Sequence, residues 1–247
     1  MTNSGVSSPI GRAARPRNRF RLAGPSAPFD PRCTPYRDDL ADVALAEALF
    51  APHYAAAFPL ACVAQATPVC AKPGGEQVSE LLGGERFMAL DASAGWTWGY
   101  CAHDDYVGYI ESDALGADAP LTPLASAPDM VAAAERFLGM PYVLGGRGGT
   151  GIDCSGLVQR ACAAIGIAAP RDSDMQREGL GTALAPSAGL HRNDLVFLPG
   201  HVGIMIDQAT MIHATAAHGA VVIEALADVI ARVETQHEVA ILARKRL

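Results

Sequence analysis

The chain has 247 residues, enough for one sizeable domain or two small ones. Half of them are apolar and 18% are charged, which suits a globular protein with a filled core, and no stretch approaches the roughly 20 apolar residues of a membrane span. A net charge of −7 at pH 7 offers no general attraction for nucleic acid or an anionic membrane, and it is compatible with a small ligand that carries a free amine.

Residues 1–60 read as a tail that passes into a helical or irregular lead-in. Arg12, Arg15, Arg17, Arg19 and Arg21, with Pro16, Pro25 and Pro28, have the composition of a disordered tail. The tail lacks the apolar core of roughly 7–15 residues found in export signals, so the expected setting is the cytoplasm, with reduced thiols. Asp38 to Phe50, rich in Ala and Leu, is the helical candidate. Residues 61–116 hold short runs cut by glycine and proline, namely Cys62–Ala66, Glu85–Leu90, Trp96–Cys101 and Tyr106–Ile110, and this spacing predicts a small β-barrel. Residues 117–128, with Pro120, Pro123 and Pro128, form a linker.

Residues 129–247 change character. Asp129 is placed to cap a helix that runs to Leu138 and stops at Gly139. A glycine-rich loop follows from Leu144 to Gly151, then a second helical stretch from Ser155 to about Ile165. The strand-like runs Asp194–Leu198, His201–Ile206, Thr210–Ala214, Ala220–Glu224 and Val239–Ala243 complete the pattern. Helices first and antiparallel strands after predict an α+β region.

None of the six cysteines forms a C-x-x-C pair, and their spacings fit no zinc pattern. Cys62, Cys70, Cys101 and Cys162 lie among apolar neighbours and are expected in the core. Cys154 stands apart, between loop glycines and a helix start, flanked by Asp153 and Ser155. A helix N-terminus offers unpaired N–H groups and partial positive charge, which lower a thiol's pKa and make it a nucleophile. Its base must lie within hydrogen-bond reach and be oriented by a third group. His201 opens a strand after the turn Pro199-Gly200, and His213 ends the next run, so a turn near Asp207-Gln208 brings the two imidazoles together. The other five histidines sit in polar or irregular stretches and are expected at the surface. Zinc held by Cys154, His201 and His213 is a competing reading, but it has no close ligand pair on one turn. The glycines lack the Gly-Lys-Ser/Thr ending of a phosphate loop.

These residues carry a resemblance. Asp153-Cys154-Ser155-Gly156-Leu157-Val158, Asp194-Leu195-Val196-Phe197, His201-Val202-Gly203-Ile204 and Ile212-His213-Ala214 resemble the NlpC/P60 cysteine peptidases, as do Pro141 to Gly146 and Pro170 to Gln176. The likeness covers about residues 128–247. It implies a papain-like α+β domain with Cys154 as nucleophile, His201 as base, His213 as orienting residue and Tyr142 lining the site. Residues 61–116 resemble a bacterial SH3 (SH3b) module through Glu80 to Glu85, Gly95 to Gly99 and Asp105 to Ile110. NlpC/P60 members with such modules cleave the γ-D-glutamyl–diamino acid bond of murein peptides, several of them requiring a free N-terminal L-alanine. The resemblance implies that Asp153 and Ser155 help recognise the amino end, while Glu85 and Tyr106 close the cleft around it. The partner is then a small murein peptide rather than nucleic acid or membrane, no cofactor or metal is implied, and the oligomeric state stays open. Two rival readings remain: an amidase or acyltransferase acting on another acyl donor, and a non-catalytic wall-binding protein.

Overall fold

The computed structural model describes residues 29–121 and 124–247. The arginine run from Arg12 to Arg21, Pro16, Pro25, Pro28 and the linker residues 122–123 lie outside the described residues.

The lead-in is not the helix expected between Asp38 and Phe50. Strands β1 (Leu40–Asp42) and β2 (His53–Ala55) pair in parallel, separated by a 3-10 turn over Val43–Leu45 that Asp42 caps. The alanines supply helix propensity but no apolar stripe, so tertiary contacts decide the shape. Ala41 and Asp42 are buried, Asp42 accepts the Tyr100 hydroxyl at 3.1 Å, and the Arg37 guanidinium lies 4.7 Å from the centroid of the Trp98 ring.

Seven strands follow: β3 (Phe58–Cys62), β4 (Ala66–Cys70), β5 (Gln77–Leu82), β6 (Arg86–Ser93), β7 (Trp96–Cys101), β8 (Val107–Glu111) and β9 (Leu115–Gly116). They make an antiparallel sheet in the order β5-β4-β8-β7-β6-β3-β9 around a core of Cys62, Val69, Leu81, Phe87, Cys101 and Ile110. The runs expected at Trp96–Cys101 and Tyr106–Ile110 correspond to β7 and β8. Cys62–Ala66 is instead mostly the turn from β3 to β4. Strands β4 and β5 escape the sequence reading because Pro68 and the buried carboxylate of Glu80 interrupt their apolar pattern.

In the C-terminal region, α1 (Met130–Glu135) starts where the Asp129 carboxylate accepts the Ala132 N–H at 2.8 Å. Helix α2 (Cys154–Ala164) begins one residue earlier than expected, and α3 (Ser173–Gly179) follows it. Then come β10 (Thr182–Ala183), β11 (Leu195–Leu198), β12 (His201–Met205), β13 (Thr210–Thr215), β14 (Ala220–Ala225), α4 (Leu226–Glu234) and β15 (Ala243–Arg246). The strands form an antiparallel sheet ordered β10-β15-β11-β12-β13-β14. Side chains alternate across it. Leu195 and Phe197 enter the core beneath α1 and α2, whereas Val196 and Leu198 pack with Leu226 and Val229 of α4. Both faces are covered, which is why the strands read as continuous apolar runs. The α+β class read from the sequence holds. No described helix is long and apolar enough to cross a membrane.

The sheet of β3–β9 is tied to the glycine-rich loop by charge. Glu80 is 2% exposed, and its carboxylate accepts the N–H groups of Arg147, Gly149 and Thr150 at 2.8, 2.9 and 3.2 Å. Gln159 of α2 donates to Asp104 at 2.8 Å. A cleft with the start of α2 at its edge lies between the two regions.

Candidate active site

Cys154 is the first residue of α2, and Asp153 is its cap, accepting the Gly156 N–H at 2.7 Å. The first turn packs so tightly on the loop that a Cβ on Gly156 would stand 2.3 Å from the Gly146 carbonyl oxygen. Cys154 is 6% exposed at the edge of a 440 Å³ cleft, and the N–H groups of Ser155 and Val202 face its sulfur. The expected lowering of its pKa by the helix start does not prevail. Burial, reinforced by the Asp153 charge, pushes the thiol up to about 12, outweighing the two N–H groups.

His201 follows Gly200, whose φ of 63° makes the sharp turn into β12. Antiparallel pairing of β12 with β13 sets His201 Nε2 2.7 Å from His213 Nδ1, with the rings inclined at 69°. Burial, and then His213, lower His201 to about 3, so both the Cys154 sulfur and the His201 ring are neutral near pH 7. Two further groups were not legible as site residues. His213 Nε2 lies 3.1 Å from Glu224 Oε2, and the Arg232 guanidinium of α4 grips both Glu224 oxygens at 2.8 and 2.7 Å. Arg232 holds the Glu224 carboxyl down at about 2. The available signal was one acid in the otherwise apolar run Ala220 to Ala225, facing the same side as the residue paired with His213.

The remaining expected site residues divide into those at the cleft and one that is not. Tyr142 lines the cleft, its phenol pushed up to about 12 by burial and by Cys154. Asp153 and Ser155 also line it, but both are held by Arg171, which is 1% exposed. Arg171 donates to the two Asp153 oxygens at 3.0 and 2.6 Å and to the Ser155 hydroxyl at 2.9 Å. Any contact they make with a ligand is therefore shaped by that cation. Tyr106 reaches the cleft and donates its hydroxyl to Asp172 at 3.0 Å. Arg32 of the lead-in joins the same wall, donating to Asp172 at 2.9 Å and to both Asp174 oxygens at 2.9 Å. Glu85 is the correction. It follows the turn after β5 on the far side and lines a separate 530 Å³ cavity. There it accepts Arg147 at 2.6 Å and the Leu82 N–H at 2.9 Å; burial raises its carboxyl, and Arg147 more than offsets this.

Among the described residues, Cys101, His103 and Asp104 bring ligand atoms within 4.8 Å of one another. Cys101 is wholly buried in the sheet core, however, and Asp104 already accepts Gln159 and the Tyr106 N–H. At the cleft, Asp153 is held by Arg171, and Asp172 and Asp174 are held by Arg32.

Residues 139–238 match the NlpC/P60 family, and residues 69–115 match the bacterial dipeptidyl-peptidase SH3 domain. The chain carries an NlpC/P60 domain. Over 107 residues it is 34% identical to a gamma-D-glutamyl-L-lysine dipeptidyl-peptidase from Bacillus cereus, covering 40% of this chain and 32% of that one. Over 112 residues it is 31% identical to dipeptidyl-peptidase 6 from Lysinibacillus sphaericus, covering 44% and 41%. The chain thus spans less than half the length of these curated relatives. A solved NlpC/P60 family protein from Bacillus cereus is 22% identical with a TM-score of 0.43, over 77% of this chain and 63% of that one. Within this chain's NlpC/P60 match lie Cys154, His201, His213, Glu224 and Arg232; Glu80 and Tyr106 lie in the SH3 match.

Proposed function

We propose that this chain is a cysteine peptidase that hydrolyses the γ-D-glutamyl–diamino acid bond of short murein peptides, with diaminopimelate or lysine on the leaving side. The observation that carries it is Cys154 at the start of α2, with the N–H of Val202, the residue after His201, against its sulfur, and the imidazoles of His201 and His213 in hydrogen-bond contact with each other. The pair rests neutral, so His201 takes the thiol proton as sulfur attacks the γ-carbonyl. The Cys154 N–H, a first-turn amide with no intrahelical acceptor, is suited to hold the oxyanion. His201 then protonates the leaving amine, and water hydrolyses the thioester.

A free amino end is supported by the acidic wall of the cleft, where Asp172, Asp174 and Glu76 stand, with Asp153 beside Cys154. A carboxylate paired with an ammonium in a partly dry site is a strong, short contact. Tyr106 and Arg32 stand at that wall and limit how far a peptide extends, which suits released peptides and a role in recycling wall fragments. Glu85 has no part in it. The similarity to enzymes named as γ-D-glutamyl-L-lysine and other dipeptidyl-peptidases supports the bond assignment.

The test is product analysis with free L-Ala-γ-D-Glu-diaminopimelate, its N-acetylated form and intact sacculi in competition. The proposal predicts cleavage of the free peptide before the others; preferential attack on sacculi would overturn it.

A further inference from the structure

Behind the two imidazoles lies a carboxylate that the reaction scheme does not use. Glu224 sits on β14, 13% of its side chain exposed, with Oε2 3.1 Å from Nε2 of the wholly buried His213. Arg232 holds both oxygens, and His218 Nε2 stands 3.4 Å from Oε1. An ionised carboxylate only accepts hydrogen bonds, so the proton between it and His213 belongs to Nε2 of the imidazole. A neutral imidazole carries one N–H, which leaves His213 Nδ1 as an acceptor. The nitrogen 2.7 Å away, His201 Nε2, must then be the donor. That leaves the lone pair of His201 on Nδ1, free to take a proton.

We propose that Glu224 is a positioning residue for the peptidase reaction above: through His213 it fixes the tautomer of His201, so that Nδ1 is the basic nitrogen offered to Cys154. The inference rests on that reading for its catalytic consequence, but the proton positions stand on the contacts alone. Arg232 keeps the carboxylate ionised and aimed. When His201 becomes an imidazolium during attack, its Nε2–H already has an acceptor, and the charge is relayed no further than the His213 ring, whose own N–H rests on Glu224.

Without the carboxylate, His213 is free to carry its proton on Nδ1. Two N–H groups would then face each other 2.7 Å apart, a clash relieved only by turning His201 or moving its proton to Nδ1. Either change removes the base. Glu224→Gln offers both a donor and an acceptor, so it permits both tautomers in nearly the same volume. Glu224→Asp keeps an acceptor-only group and serves as the conservative rescue.

The decisive experiment is long-range ¹H–¹⁵N NMR of the full chain at pH 7, with ring signals assigned to His201 and His213, together with kinetics of the variants. The expected result is an Nε2–H tautomer for both rings in the wild type and a mixture in E224Q. E224Q should lose kcat by on the order of 10–100-fold, the scale for removing a carboxylate that orients a functional imidazole, with KM little changed and activity largely restored in E224D. The charged or titratable groups acting on His201, the base, are His213, Arg232, Glu224 and Asp153. Of these, Glu224 and Asp153 favour the protonated ring, so E224Q should also move the acid limb of kcat to lower pH. A purely structural role would lower activity without shifting the limb or the tautomer. An Nδ1–H signal on His213 in the wild type, or an E224Q enzyme with unchanged kcat and pH profile, overturns the proposal. If the wild type cleaves no murein peptide, the peptidase reading fails while the tautomer measurement still decides this one. If E224Q does not fold, the wild-type spectrum and E224D decide it.

Discussion

Replacing Arg171 by Met isolates the charge that organises the start of α2. Arg171 is 1% exposed and donates to Asp153, to Ser155, to Ser79 across the interface at 3.2 Å and to the Gly146 carbonyl at 3.4 Å. Methionine has a comparable length and fills the space, but it leaves the Asp153 carboxylate, 4% exposed, without a countercharge. Asp153 retains the N–H groups of Gly145 and Gly156 and the Ser155 hydroxyl, which soften the loss. Removing one partner of a buried pair costs about 3–5 kcal/mol. At about 2–4 °C per kcal/mol for a chain of this size, Tm should fall by about 6–20 °C in calorimetry at pH 7. Adding Asp153→Asn removes the orphaned charge, so the double variant should be less destabilised than the sum of the singles by about 1 kcal/mol or more. An R171M protein within about 1 kcal/mol of wild type, or strictly additive singles, would refute the reasoning.

Three other outcomes follow from the same geometry. Because burial holds the Cys154 proton up to about 12, alkylation by iodoacetamide should still accelerate as pH rises from 8 to about 10; a rate already flat below about pH 7 would mean a thiolate–imidazolium pair instead. Arg32→Ala opens the end wall, so discrimination against the N-acetylated tripeptide should shrink and KM for the free one rise; unchanged selectivity removes Arg32 from that role. Glu80→Gln weakens the anchor of the glycine-rich loop, and faster hydrogen exchange at Gly149 and Thr150 should report it; equal protection in both proteins would show that the loop holds itself.

The sequence made the cysteine and both histidines legible because each belongs to a local pattern: a capped helix start, a turn before a strand, and an apolar run that ends in a polar residue. It also showed the sheet of β11–β14, whose strands are mostly apolar. What it hid depends on contacts far apart along the chain. Arg171 looks like an ordinary surface cation until β5 and α2 bury it. Glu224 becomes part of the site only through the β13–β14 register. Glu85 follows a barrel turn that faces Arg147, and no local pattern distinguishes that side from the cleft side. The lead-in has the alanines of a helix, yet Asp42 and Arg37 tie it to Tyr100 and Trp98, and Arg32 then becomes part of the cleft wall.

The central claim is that Cys154 is the nucleophile, and the most direct measurement compares wild type with Cys154→Ala on L-Ala-γ-D-Glu-diaminopimelate, following products by mass spectrometry and binding by calorimetry. The account predicts that hydrolysis falls to background while the peptide still binds with an affinity within a few-fold of the wild type's. A Cys154→Ala protein that continues to release the diamino acid product would contradict it.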